Sequence, residues 1–259
     1  MKLCYQIAGF FLAGTALLSS CAVYVPTVPS TPLVTEAGQV EITAGIRGFS
    51  SLELGGAWSP ANHLFVTAET ALQQSNGSET SNNTTFKYTN VHKQASVGLG
   101  TYRLVGPEQK GYLAATGGFG FAKADVYDPH LGYLILPIFG RAPITYYEAT
   151  YQRYYGQLYA AHLGRVVSYG ASVRGTFLHY SLLRRNEEAI TSPSNFFIEP
   201  TLFIRVGSGP LQFQGTAGLS APTHVDYDAG SRNNLSPVSV LVGAGVVFRP
   251  HLLRARTVK

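Results

Sequence analysis

Charge is scarce in this chain. Asp, Glu, Lys and Arg together make up 13% of the 259 residues, where a soluble domain carries about a quarter. Methionine and tryptophan occur once each and cysteine only twice, so neither a Met-padded helical bundle nor a disulfide-dense scaffold fits. No apolar run is long enough for a membrane-spanning helix: the longest, Tyr5 to Leu18, is interrupted only by Gln6 and Thr15 and stops short of about twenty residues. The histidines (His63, His92, His130, His162, His179, His224 and His251) are scattered without metal-ligand spacing. Glycine clusters such as Gly117-Gly118-Phe119-Gly120 lack the lysine and following helix of a phosphate loop. Basic residues form no stripe interleaved with aromatics, which excludes a nucleic-acid interface. No cofactor, metal or catalytic residue is expected.

What is present points to strands. The chain holds 28 Gly, 16 Tyr and 14 Phe within 45% hydrophobic residues, a composition for many short strands and tight turns rather than for disorder. The net charge of +5 is concentrated in part at the carboxyl end, where Arg249, His251, Arg254, Arg256 and Lys259 crowd together. These read as a basic, solvated tail over residues 250–259.

The first twenty residues have the plan of an export signal: Lys2, then a short apolar run, then small residues. Leu18-Ser19-Ser20-Cys21 resembles the lipobox of bacterial lipoproteins. The resemblance implies cleavage before Cys21 and acylation of that residue, leaving residues 1–20 as signal peptide. Cys4 would depart with the signal, so Cys21 would be the single cysteine of the mature chain, and acylation accounts for an unpaired thiol in an exported protein. Several acyl chains make a stable anchor where one is marginal. Pro26, Pro29 and Pro32 then favour an extended, semi-rigid lipidated tether over residues 21–37, rather than a packed element. The tether is expected on the periplasmic side.

From Val40 onward apolar and polar residues alternate with period two. Val40, Ile42, Ala44 and Ile46 oppose Glu41, Thr43 and Arg47; Leu64, Val66, Ala68 and Leu72 oppose Thr67, Glu69 and Gln73; Val91, Ala95, Val97 and Leu99 oppose His92, Gln94, Ser96 and Tyr102. Runs near Leu52, Leu113, Tyr169, Phe196, Leu211 and Val238 repeat the pattern. Tyr151 to Leu163 is ambiguous, because Arg153 and Gln157 share a face with Tyr155 and Tyr159. Ten strands result, and connections after even strands are short while those after odd ones are long: Gln74 to Asn90, Asp128 to Thr150, Arg184 to Asn195, and Ala221 to Pro237. Only the link near Phe49 to Ser51 breaks that rule. An even strand number with short turns on one side and long loops on the other is the asymmetry of an outer-membrane barrel. The expectation is an all-β, antiparallel up-and-down barrel of about ten strands over residues 38–249. Its lumen would hold Glu41, Glu53, Glu69, Glu199, Arg47, Arg174 and Arg205, filled with ion pairs rather than open.

The chain resembles the small outer-membrane β-barrel lipoproteins of Bacteroidota. The matching residues are a Cys-x-x-Tyr-x-Pro start (Cys21, Tyr24, Pro26), Thr35, Glu36 and Gly38 ahead of the first strand, and the Phe-Ile-Glu-Pro run from Phe197 to Pro200. The resemblance implies an outer-membrane location, outer-membrane lipid as a neighbour, and an anchor at Cys21. The expected role is non-enzymatic, structural or binding, exerted through the long loops. Loop 128–150, with its apolar Leu131 to Phe139 stretch, is the candidate contact surface for a protein or glycan partner. Two alternatives stand beside this reading. One is a soluble periplasmic barrel holding an apolar ligand, which would place the apolar faces inward. The other is a hydrolase: His179-Tyr180-Ser181 resembles the His-x-Ser-Asn motif of lipid A deacylases, with Leu182 in place of Asn.

Overall fold

In the computed structural model, residues 23–48, 50–81, 84–127, 145–190, 194–224 and 238–254 are described. Among them the strands in chain order are β1 (Val40–Arg47), β2 (Ser51–Ala61), β3 (Leu64–Ser81), β4 (Thr84–Val105), β5 (Gly111–Tyr127), β6 (Tyr146–His162), β7 (Val167–Arg185), the two-residue β8 (Glu188–Ala189), β9 (Asn195–Val206), β10 (Leu211–Pro222) and β11 (Ser239–Phe248); a single helical turn, α1 (His251–Arg254), follows. All pairs are antiparallel. β6 pairs with β7, β7 with β9 past the short β8, and β1 with β11, so ten strands close a ring. This is the up-and-down barrel that the alternation predicts.

Period two sorts the side chains onto two walls. Leu99, Leu158, Leu202 and Phe213 are 60%, 67%, 65% and 66% exposed on the outer wall, while Arg174 and Glu199 are fully buried within. On β4 the exposed Lys93 and Arg103 bracket the outward Ala95, Val97, Leu99 and Thr101. Ten residue steps of about 3.4 Å, tilted by roughly 40°, span about 26 Å along the barrel axis, close to the ~25 Å apolar band of membrane barrels. An apolar exterior of that height is suited to hydrocarbon rather than water.

The two ends differ. At one end the strands turn within a few residues, at Asn62-His63, Gly106 to Lys110, and the links joining β6 to β7 and β9 to β10. The other end carries the long connections. There β3 and β4 stay paired up to Ser81 and Thr84, so residues 74–90, expected as a loop, are mostly a projecting hairpin. The sequence signal is weak there because β3 beyond Gln73 is polar on both faces, and on β4 only Phe86 and Tyr88, which group with Tyr127, alternate with polar residues. Likewise Tyr146–Thr150 begin β6 rather than ending a loop. Outside the apolar band, the rim at this end carries Lys123, Glu148 and Arg184 in exposed ion pairs of 3.3 and 3.7 Å. Partial burial and the Asp125 carboxylate, which accepts its hydrogen bond at 3.1 Å, push the Tyr146 phenol up to about 12.

The carboxyl end is not wholly a free basic tail. Arg249 forms a 2.5 Å ion pair with Glu41, and His251 Nδ1 lies 3.2 Å from the Val40 carbonyl. Residues 255–259 lie outside the described residues.

Candidate functional site in the barrel lumen

The segment expected to be a tether is extended, but it is not outside the barrel. Val23, Tyr24, Thr27, Thr31, Leu33 and Val34 are all at least 95% buried, and their partners are lumen side chains. Pro26, Pro29 and Pro32 recur every third residue, which matches the three-residue turn of a polyproline helix and puts them along one edge. A proline offers no N–H, so this segment has fewer donors to satisfy and cannot join a sheet ladder along its length. The twelve steps from Val23 to Thr35, at about 3.1 Å each, reach some 37 Å, enough to traverse a bilayer core.

Side chains of the wall satisfy its backbone. Arg174 Nη2 donates to the Thr27 carbonyl at 2.6 Å, Gln157 Nε2 to that of Ser30 at 2.8 Å, Arg205 Nη2 to that of Thr31 at 2.6 Å, and the Tyr159 hydroxyl to that of Pro32 at 2.8 Å. In return the Val28 N–H donates to Glu53 at 3.2 Å and the Leu33 N–H to Glu41 at 3.1 Å. The Tyr24 hydroxyl donates to Glu199 at 2.9 Å, and Arg153 donates to Thr27 Oγ1 at 3.0 Å. A buried main chain must find partners for its polar groups, and here the wall supplies them.

The same groups hold one another. Arg174 meets Glu199 at 2.6 Å, Arg205 meets Glu41 at 3.0 Å, Arg47 meets Glu53 at 2.9 Å, and Arg153 meets Glu69 at 3.3 Å. Glu199 also accepts hydrogen bonds from Thr176 and Ser220. The Tyr155 ring lies along the lumen wall over Gly118 and Gly98, with the guanidinium carbons of Arg153 and Arg174 5.4 and 5.9 Å from its centre. Glycine makes the room: a Cβ on Gly118 would stand 2.5 Å from the Tyr155 ring, so the glycine cluster of β5 accommodates an aromatic.

Apolar clusters close the segment in at both ends. Val23 and Tyr24 pack with Ala124, Tyr151, Leu178 and Phe197 towards the long-loop end, the Tyr24 and Phe197 rings 4.4 Å apart. Leu33 and Val34 pack with Phe65, Tyr112, Tyr159 and Phe203 towards the short-turn end. Beside the segment a cavity of about 70 Å³ remains, lined by Thr43, Gly45, Gly55, Thr216, Gly243 and Gly245 among others. The lumen is therefore polar and filled, which contradicts the apolar inner pocket of a soluble ligand-binding barrel.

Every charged residue assigned to the lumen from sequence is there. Arg153 joins them, and the ambiguous stretch resolves with Tyr151, Arg153, Tyr155, Gln157 and Tyr159 all inward. The remaining candidates lie elsewhere. Cys21, with the whole of residues 1–20, is outside the described residues, as are residues 128–144 of the loop proposed for partner contact. His179 and Ser181 are both exposed on the outer side of β7. The β6–β7 register shifts between Thr150 and Tyr151, leaving Ser181 unopposed, and its hydroxyl donates to the Thr150 carbonyl at 3.1 Å rather than to His179.

No protein-family model matches the chain, and no curated protein does. Among solved structures it is similar to the translocator domain of the autotransporter NalP from Neisseria meningitidis, with 11% identity, a TM-score of 0.44, and coverage of 82% of this chain and 86% of that one. It is also similar to OmpT, an outer membrane protein of Vibrio cholerae, with 11% identity, a TM-score of 0.34, and coverage of 81% of this chain and 63% of that one. The architecture defined by closure, polarity and loop asymmetry is that of an outer-membrane β-barrel.

Proposed function

We propose that the protein is a bacterial outer-membrane lipoprotein. Its barrel spans the bilayer, its anchor is Cys21, and it acts structurally or in binding through its long outer loops rather than as an enzyme. The observation that carries this reading is the polarity of the barrel: a belt of outward Leu, Val, Ile and Phe around a lumen of Arg–Glu pairs. Water would penalise such a belt, whereas hydrocarbon accepts it. Among the described residues the cavity beside the segment is small, and the surfaces assigned to contact with other molecules are the loops and the rim. The short turns face the periplasm and the long loops face outward, following the asymmetry of such barrels.

The test is extraction of a Cys21→Ala variant exported by a cleavable signal. Retention in the alkaline-carbonate pellet, with a mobility shift on boiling, is the expected result and means that the barrel spans the membrane without its lipid. Release into the soluble fraction without a shift would overturn the reading.

A further inference from the structure

We infer that residues 23–35 are a resident plug inserted from the long-loop mouth, so that the chain upstream of Val23 leaves the barrel on the same side as the long loops. The inference rests on the outer-membrane reading for what that side means, and on the structure for the direction. Along the segment the wall partners change in order. Tyr24 meets Tyr151, Phe197 and Glu199 near the long-loop ends of their strands. Thr27 meets Arg153 and Arg174 in mid-barrel. Leu33 and Val34 pack with Tyr112, Tyr159 and Phe203 at the short-turn end. The chain then reverses at Gly38, whose φ of 81° suits a residue without a side chain, and climbs back as β1.

The lumen is built for this occupant. Its arginines, tyrosine and glutamine aim at the backbone carbonyls of Thr27, Ser30, Thr31 and Pro32, and its glutamates at backbone N–H groups. Withdrawing the segment would leave Arg153, Arg174 and Arg205 short of acceptors in a closed interior, which is costly. Gly243 supplies a steric signature, because a Cβ there would stand 3.0 Å from Val28 Cγ2. The consequence reverses an expectation drawn from the sequence. Cys21 precedes Val23 by two residues, a reach of at most about 7 Å, so an anchor on it belongs with the long-loop mouth and not with the periplasmic turns.

Two readouts in one membrane preparation test this. A Cβ at position 243 lies 4.0 Å from Val28 Cβ, within the 3.5–4.5 Å that a disulfide spans. The Val28→Cys, Gly243→Cys pair should therefore form a reducible cross-link, assigned by peptide mass, which neither single variant shows. An epitope placed between Ala22 and Val23 should be as accessible on intact cells as one at the β3–β4 hairpin tip, and unlike one in the Gly207-Ser208-Gly209 turn. A heat-modifiable barrel that forms no 28–243 link overturns the plug. A link with the upstream epitope accessible only alongside the turn epitope overturns the direction. A linked protein that leaves the membrane in carbonate overturns the membrane reading, and the sidedness with it, while the threading stands.

Discussion

One strand, β9, shows both environments that this chain meets. Glu199 and Arg205 face inward and are buried, each held by several partners. Their neighbours Ile198, Leu202 and Ile204 face outward at 45–65% exposure. The outer wall needs only apolar surface, so its residues are interchangeable. The lumen needs defined pairs and defined shapes, because a buried charge that loses its partner cannot turn to water. The two walls should therefore respond to substitution by different rules.

The largest effect is expected at the centre of the lumen network. Glu199→Ala strips Arg174, Tyr24, Thr176 and Ser220 of a shared acceptor. It should cost about 3–5 kcal/mol, the range for breaking a buried pair from one side, read from the urea midpoint of the heat-modifiable band. A change within error would show that the lumen is far wetter than its burial implies. On the outer wall the severe substitution is a charge. Val97 lies near the middle of the apolar band, and Val97→Arg should cost about 2–4 kcal/mol in lipid but much less in detergent. Equal cost in both media would remove the membrane from the explanation.

Shape comes next. Gly243→Val would crowd Val28 and should destabilise by about 1–3 kcal/mol, as overpacking does. Protease sensitivity of the segment around residues 23–35 should rise with it. A well-folded variant with unchanged protease resistance would mean that the segment does not press on β11. The smallest effect belongs to Leu202→Ile on the outer wall, within about 0.5 kcal/mol. A loss rivalling that at Glu199 would erase the distinction between the two walls.

Much of this molecule was legible as sequence, for reasons that particular residues illustrate. Strict period two put Glu41, Arg47, Glu53, Glu69, Arg174, Glu199 and Arg205 on one face, and all seven are in the lumen. Turn residues between runs separated the ends. β6 was harder because its lumen face carries Tyr147, Tyr151, Tyr155 and Tyr159. A tyrosine is apolar along its ring and polar at its tip, so it blurs the contrast on which alternation depends. The hairpin of β3 and β4 is hard to read because β3 beyond Gln73 is polar on both faces, and on β4 only Phe86 and Tyr88 alternate with Lys87 and Thr89.

The amino-terminal segment marks the boundary. Prolines at every third position determine locally that it is extended and outside any sheet ladder, and that much the sequence by itself decided. Whether such a strand is solvated or enclosed depends on donors and acceptors supplied by residues more than a hundred positions away, such as Gln157, Arg174 and Arg205. Only closure of the ring brings those groups to one axis. The sequence determined the barrel, its two faces and its two unlike ends; tertiary structure decided that the lumen is occupied, and by the chain's own beginning.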